Sequence, residues 1–136
     1  RPLRILVVDD HEVVRQGLVA LLERREAFQV VAEAGTVAES IEQARRHQPD
    51  IVILDYRMPK LNAPEVIKRI MAEAPVAIMV LTGADPTEPK KHEVMSLGAV
   101  GFMEKPKTMD YSGIATRLLT NIKTLSRLKP SKRSYG

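Results

Sequence analysis

Three carboxylates, a hydroxyl and an ammonium stand at the ends of four apolar runs in this chain. Asp9 and Asp10 close Leu3-Arg4-Ile5-Leu6-Val7-Val8, and Asp55 closes Ile51-Val52-Ile53-Leu54. Thr82 closes Val76-Ala77-Ile78-Met79-Val80-Leu81, and Lys105 follows Gly101-Phe102-Met103-Glu104 and precedes Pro106. If these runs are neighbouring parallel strands, their carboxyl ends share one edge of one sheet, the edge at which open α/β sheets bind ligands. Carboxylate oxygens are hard ligands for a divalent cation. A hydroxyl and an ammonium suit phosphoryl oxygens. The chemistry implied is a cation and a phosphoryl group held side by side.

Five alternations of strand and helix are needed to position these groups. Residues 3–9 read as a buried strand, and residues 12–25 as a helix with Val13, Val14, Gly17, Leu18, Leu21 and Leu22 at helical spacing. Residues 28–33 form a second strand. Thr36 caps a helix over 37–47, with Glu39 completing a capping box and Pro49 ending the segment. Residues 51–55 form the third strand, and Asn62 caps a helix running to about Ala74. Residues 76–81 form the fourth strand, and a fourth helix runs from Glu88, capped by Thr87, to Gly98. Residues 100–103 form a short fifth strand, and residues 110–128 a long last helix. Asp10 is a candidate cap for the first helix as well as a metal ligand. Parallel pairing through right-handed crossovers then predicts an α/β, doubly wound sheet of order 2-1-3-4-5. Asp9, Asp10 and Asp55 meet at its switch point.

A chain of 136 residues is a single-domain length. It has no Cys, which excludes disulfides and thiolate chemistry. No signal peptide or spanning apolar run is visible, so a cytoplasmic protein without membrane contact is expected. The opening Arg1, in place of Met, reads as the start of a trimmed fragment. The net charge of +4 is unevenly spread. Six basic residues lie beyond Asp110, the last acidic one; without them 15 basic residues face 17 acidic ones, a net of −2. The basicity thus belongs to the last helix and to residues 129–136, a basic linker or disordered tail after a domain spanning 1–128. A solvated helix face explains it better than nucleic-acid contact.

Four motifs in order now carry a resemblance: Val7-Val8-Asp9-Asp10-His11, Asp55-Tyr56-Arg57-Met58-Pro59, Leu81-Thr82-Gly83, and Gly98-Ala99-Val100-Gly101-Phe102-Met103-Glu104-Lys105-Pro106. Over residues 3 to about 128 the chain resembles the flavodoxin-like receiver domains of two-component response regulators. The resemblance implies that Asp55 is the phosphoacceptor and that Asp9, Asp10, Asp55 and the backbone carbonyl of Arg57 hold Mg²⁺. It implies that Lys105 pairs with the phosphoryl group, that Pro106 is the family's cis proline, and that Thr82 and Phe102 form the switch. No turnover beyond Mg²⁺-dependent self-phosphorylation and self-dephosphorylation is implied. Asn62-Ala63 replaces the family's usual Asp-Gly after Met58-Pro59, and Gly83 leaves room for the phosphoryl group. His11 is assigned no catalytic role.

The implied partners are a sensor histidine kinase or phosphotransfer protein, and an output domain or partner protein reached through the face of the fourth helix, fifth strand and fifth helix. A phosphorylation-dependent homodimer is a further expectation. Met95-Ser96-Leu97-Gly98-Ala99 resembles receivers of chemotaxis methylesterases, although that family usually has Glu where Arg57 stands. The opening from Val8 to Leu18 resembles receivers joined to helix-turn-helix DNA-binding domains. Two other classes fit less well. A flavodoxin-like cofactor binder needs a Ser/Thr/Gly phosphate loop where Asp9-Asp10 stands, and a haloacid-type phosphatase needs Asp at position 11, which is His.

Overall fold

Each apolar run becomes a strand of one parallel sheet. The computed structural model describes residues 1–56, 62–82, 88–104 and 115–135. In chain order these hold β1 (Leu3–Val8), α1 (Glu12–Glu23), β2 (Phe28–Ala34), α2 (Val37–His47), β3 (Ile51–Asp55), α3 (Ala63–Glu73), β4 (Ala77–Thr82), α4 (Glu88–Leu97), β5 (Gly101–Glu104) and α5 (Ala115–Leu125). The sheet order is β2-β1-β3-β4-β5, as expected. Among the described residues no helix is long and apolar enough to cross a membrane.

The near-continuous apolar strands are explained by burial on both faces. Alternate residues Ile5, Val7, Ile51, Ile53 and Met79 pack with Leu18 and Leu22 of α1 and Leu118 and Ile122 of α5. Their neighbours Leu6, Val8, Val52, Leu54 and Val80 pack with α2, α3 and Val94 of α4. Each fully buried Ile or Leu contributes roughly 1.5–3 kcal/mol. A one-residue slip of a strand would exchange the two layers, so this alternation pins the register.

Local chemistry sets the helix starts. The Thr36 hydroxyl accepts from the Glu39 N–H at 3.1 Å, and the Glu39 carboxylate accepts from the Gly35 N–H at 3.2 Å. Asn62 Oδ1 accepts from the Glu65 N–H at 3.1 Å. The cap of α1 is His11, whose Nδ1 accepts from the Val14 N–H, and not Asp10. Val13 is 61% exposed, so the buried stripe of α1 is Leu18, Val19 and Leu22 and does not begin at Val13. The expected cap Thr87 lies outside the described residues.

The last helix stops earlier than its apolar spacing predicts. α5 ends at Leu125, the Leu128 N–H bonds to the Leu125 carbonyl, and Leu128 is exposed. Above β5, α5 sits so close that a Cβ on Gly101 would overlap Leu125 Cδ1.

Gly98 terminates α4 with φ +129°, a conformation that side chains rarely adopt. A Cβ there would also lie 3.0 Å from Met71 Cγ. Gly98→Ala is therefore expected to cost roughly 1–3 kcal/mol. Urea unfolding should show a lower midpoint with an unchanged slope; a midpoint equal to the parent's would contradict the strain at this residue.

Candidate functional site

Parallel register brings the acidic residues to one edge. Val8 of β1 pairs with Leu54 of β3, so Asp9 and Asp55, one residue further along each strand, stand level on adjacent strand ends. Asp55 itself pairs with Leu81, placing Thr82 on the next strand at the same edge. Asp9, Asp55 and Thr82 are 2%, 6% and 3% exposed, which is unusual for carboxylates and directs them inward at the edge of the core. Asp10 is half-buried beside them.

Backbone bonds hold the edge rigid. The Asp9 N–H donates to the Ala34 carbonyl at 3.0 Å, and the Tyr56 N–H donates to the Leu81 carbonyl at 2.8 Å. Asp9 Oδ1 accepts from the His11 N–H at 2.8 Å. His11 thus serves the edge through its backbone and α1 through its ring.

Two residues that motif reasoning did not assign prove structurally central. Arg15 on α1 donates to the Asp9 carbonyl at 2.6 Å and to Glu33 Oε1 at 3.0 Å. Gln16 donates to the same Glu33 oxygen at 2.8 Å. This positive charge lies behind the acidic pair and ties α1 to the ends of β1 and β2. Tyr56 reaches the other way: its hydroxyl donates to Glu93 Oε1 of α4 at 3.0 Å. Burial, and then the Glu93 carboxylate, push the Tyr56 hydroxyl above its ordinary value of 10, so it remains a donor at neutral pH. The i,i+4 spacing of His11 and Arg15 hints at a shared face, but nothing in the sequence links Arg15 to Glu33 or Tyr56 to Glu93.

Phe102 lies on β5 opposite Val80, half-buried against the α2–α3–α4 layer. Arg57, Gly83, Lys105 and Pro106 lie outside the described residues. Among the described residues, no group of three acidic or His side chains converges closely enough to enclose a metal. Asp9, Asp10 and Asp55 still offer the hard oxygens that Mg²⁺ prefers, and Mg²⁺ keeps several waters rather than demanding an all-protein cage. The donor set therefore fits Mg²⁺ held partly through water. A cleft of about 470 Å³ between Ala44, Gln48, Pro49 and Pro75 lies at the opposite edge of the sheet and holds none of these groups.

Comparison with known proteins agrees with this arrangement. A family model described as the response regulator receiver domain matches residues 5–112. The protein-glutamate methylesterase/protein-glutamine glutaminase 2 of Anaeromyxobacter dehalogenans is 37% identical over 95% of this chain and 40% of its own length. The corresponding enzyme of Nitrosospira multiformis is 32% identical over 96% of this chain and 38% of its own. The chain thus spans about 40% of the length of these relatives. Among solved structures, the response regulator domain of Thermotoga maritima CheB superposes with a TM-score of 0.86 at 30% identity, covering 96% of this chain and all of that one. The receiver domain of the NarL regulator from Mycobacterium tuberculosis gives 0.76 at 30% identity, covering 90% and 98%.

Arg15 generates a stability prediction. Its side chain is mostly buried and serves two acceptors at once. Arg15→Ala should cost roughly 1.5–3 kcal/mol at neutral pH, the range for hydrogen bonds to charged groups. Arg15→Lys should recover only part of this, because a point charge cannot reproduce the planar fork. Chemical denaturation of the three proteins measures it; full recovery by Lys would contradict the two-acceptor role.

Proposed function

Because the chain belongs to the response regulator receiver family, in which accepting a phosphoryl group is the common role, we propose that Asp55 is its phosphoacceptor. The observation carrying this is the buried carboxylate of Asp55 at the end of the central strand, level with Asp9 on the neighbouring one. A carboxylate oxygen of Asp55 attacks phosphorus of a phosphohistidine on a sensor kinase or phosphotransfer protein. The O–P bond forms as the P–N bond breaks, and the imidazole keeps the electron pair and takes up a proton.

Asp9, Asp10, Asp55 and the Arg57 carbonyl would hold Mg²⁺. When bound, the ion offsets the repulsion among the carboxylates and the incoming phosphoryl oxygens. Lys105 supplies a further positive charge to those oxygens, and the Thr82 hydroxyl donates to one of them. Arg15, held against the Asp9 carbonyl, fixes the position of the acidic pair.

The new phosphoryl charge favours the arrangement in which Thr82 and Lys105 reach it best, and the face of α4, β5 and α5 responds, with Phe102 repacking. Such coupling is typically about 1–3 kcal/mol. We assign no hydrolase chemistry to these residues themselves. The output proposed is the methylesterase/glutaminase activity of the relatives, in the cytoplasm. A DNA-binding output is the second reading, favoured by the likeness to the NarL receiver at 30% identity. A phosphorylation-dependent homodimer through the same face would be another destination of the switch.

Acetyl phosphate with Mg²⁺ should add one phosphoryl mass, seen in the intact-mass spectrum. Asp55→Asn or chelation should abolish the addition, and full labelling of the Asn variant would refute the assignment. Mg²⁺ titration should show a larger loss of affinity for Asp10→Asn than for His11→Ala. Thr82→Ala should still accept phosphate while chemical shifts beyond Phe102 respond less than in the parent; shifts confined to the loops around Asp55 in the parent would mean acceptance without a switch.

A further inference from the structure

Residues 129–135 cross from the α5 side of the sheet to the α3–α4 side, and their contacts are specific. Leu128, Lys129 and Pro130 line a cleft with Pro49 and Pro75 at the amino edge of the sheet. The Arg133 N–H then donates to the Met71 carbonyl of α3 at 3.0 Å. The Arg133 guanidinium donates to the Ser96 carbonyl at 2.8 Å, and the Tyr135 hydroxyl donates to the Leu97 carbonyl at 2.5 Å. The Tyr135 ring packs on the α2–α3–α4 layer, with Lys68 Nζ 5.9 Å from its centroid.

The three carbonyls have a common property. A helix ends with carbonyls that lack a partner four residues on. For Met71 that residue is Pro75, which has no N–H. For Ser96 it is Val100, whose N–H donates to Ile78. For Leu97 it is Gly101, already in β5. Residues 129–135 thus complete the ends of α3 and α4. The last turn of α4 has no basic residue of its own, so Arg133 brings a positive charge to its negative end. Arg133 packs beside Gly98, where a Cβ would meet Arg133 Nε at ordinary van der Waals distance.

The same helix is gripped from the other direction by Tyr56, the neighbour of Asp55. Its hydroxyl bonds to Glu93, and the Glu93 carbonyl accepts from Ser96 Oγ at 2.8 Å. Glu93 and Ser96 lie one turn apart, so a displacement at one is carried to the other by a rigid element. The apolar residues of α4 are weakly segregated, and from Lys91 to Leu97 Val94 alone is fully buried.

Building on the reading of Asp55 as phosphoacceptor, we propose that residues 129–135 are a strap whose docking on α4 is coupled to modification of Asp55 through the Tyr56–Glu93 contact. Two ligands of one movable helix bias each other reciprocally. Modification of Asp55 shifts α4, and with it the Ser96 and Leu97 carbonyls to which the strap is bound.

The test uses the full chain with beryllofluoride and Mg²⁺. Bound beryllofluoride is followed by its fluorine NMR signal, and strap docking by hydrogen exchange of the Arg133 amide. Saturation should change that exchange by at least about fivefold, the lower end of ordinary coupling. Tyr56→Phe should still bind beryllofluoride, but the change should fall below twofold. The double variant Arg133→Gln, Tyr135→Phe should alter beryllofluoride affinity by the factor seen in exchange, as linkage requires. Bound beryllofluoride with unchanged Arg133 exchange in the parent overturns the coupling while leaving the phosphoacceptor reading intact. A Tyr56→Phe protein that responds fully overturns the proposed route. Absence of any bound signal in the parent overturns the phosphoacceptor reading and the coupling together.

Discussion

The parallel register between β1 and β3 is the constraint on which everything else depends. The pairing of Val8 with Leu54 is what sets Asp9 and Asp55 level on adjacent strands. That register is held less by the bonds themselves than by the two packed layers. Ile51 and Ile53 belong to one layer, Val52 and Leu54 to the other. A slip would send each into the wrong layer and separate the carboxylates. Core packing and site geometry are therefore one specification, written in the same few residues.

Burying acidic side chains at a sheet edge is costly, and the surroundings show how the cost is met. The His11 N–H donates to the Asp9 carboxylate, and the Arg15 guanidinium donates to the Asp9 backbone carbonyl. The edge is rigid on the α1 side, where Arg15, Gln16 and Glu33 lock helix to strand. On the α4 side the Tyr56–Glu93 hydrogen bond joins it to that helix.

Where short-range chemistry decides, sequence alone was sufficient. Thr36 with Glu39, and Asn62 with Glu65, start α2 and α3 where their side chains predict. Strand order and the edge carrying Asp9, Asp55 and Thr82 followed from the βα alternation. Boundaries governed by tertiary packing did not. Leu125 and Leu128 continue a helical stripe, yet the helix stops at Leu125 and leaves Leu128 exposed. β5 begins at Gly101, one residue later than its apolar run. The roles of Arg15, Tyr56 and Arg133 depend on partners 18, 37 and 37 residues away. No local pattern encodes such distances. Lys105 and Arg57, whose parts rest on the family resemblance, lie outside the described residues.

The most direct measurement of the central claim is a crystal structure of the Mn²⁺ form, read by anomalous scattering. Manganese prefers the same hard oxygen ligands as magnesium. The account predicts one strong peak at the carboxyl edge of the sheet, within coordination distance of an Asp55 oxygen and of Asp10 or Asp9, directly or through one water. A peak elsewhere on the molecule, with none between β1 and β3, would contradict it.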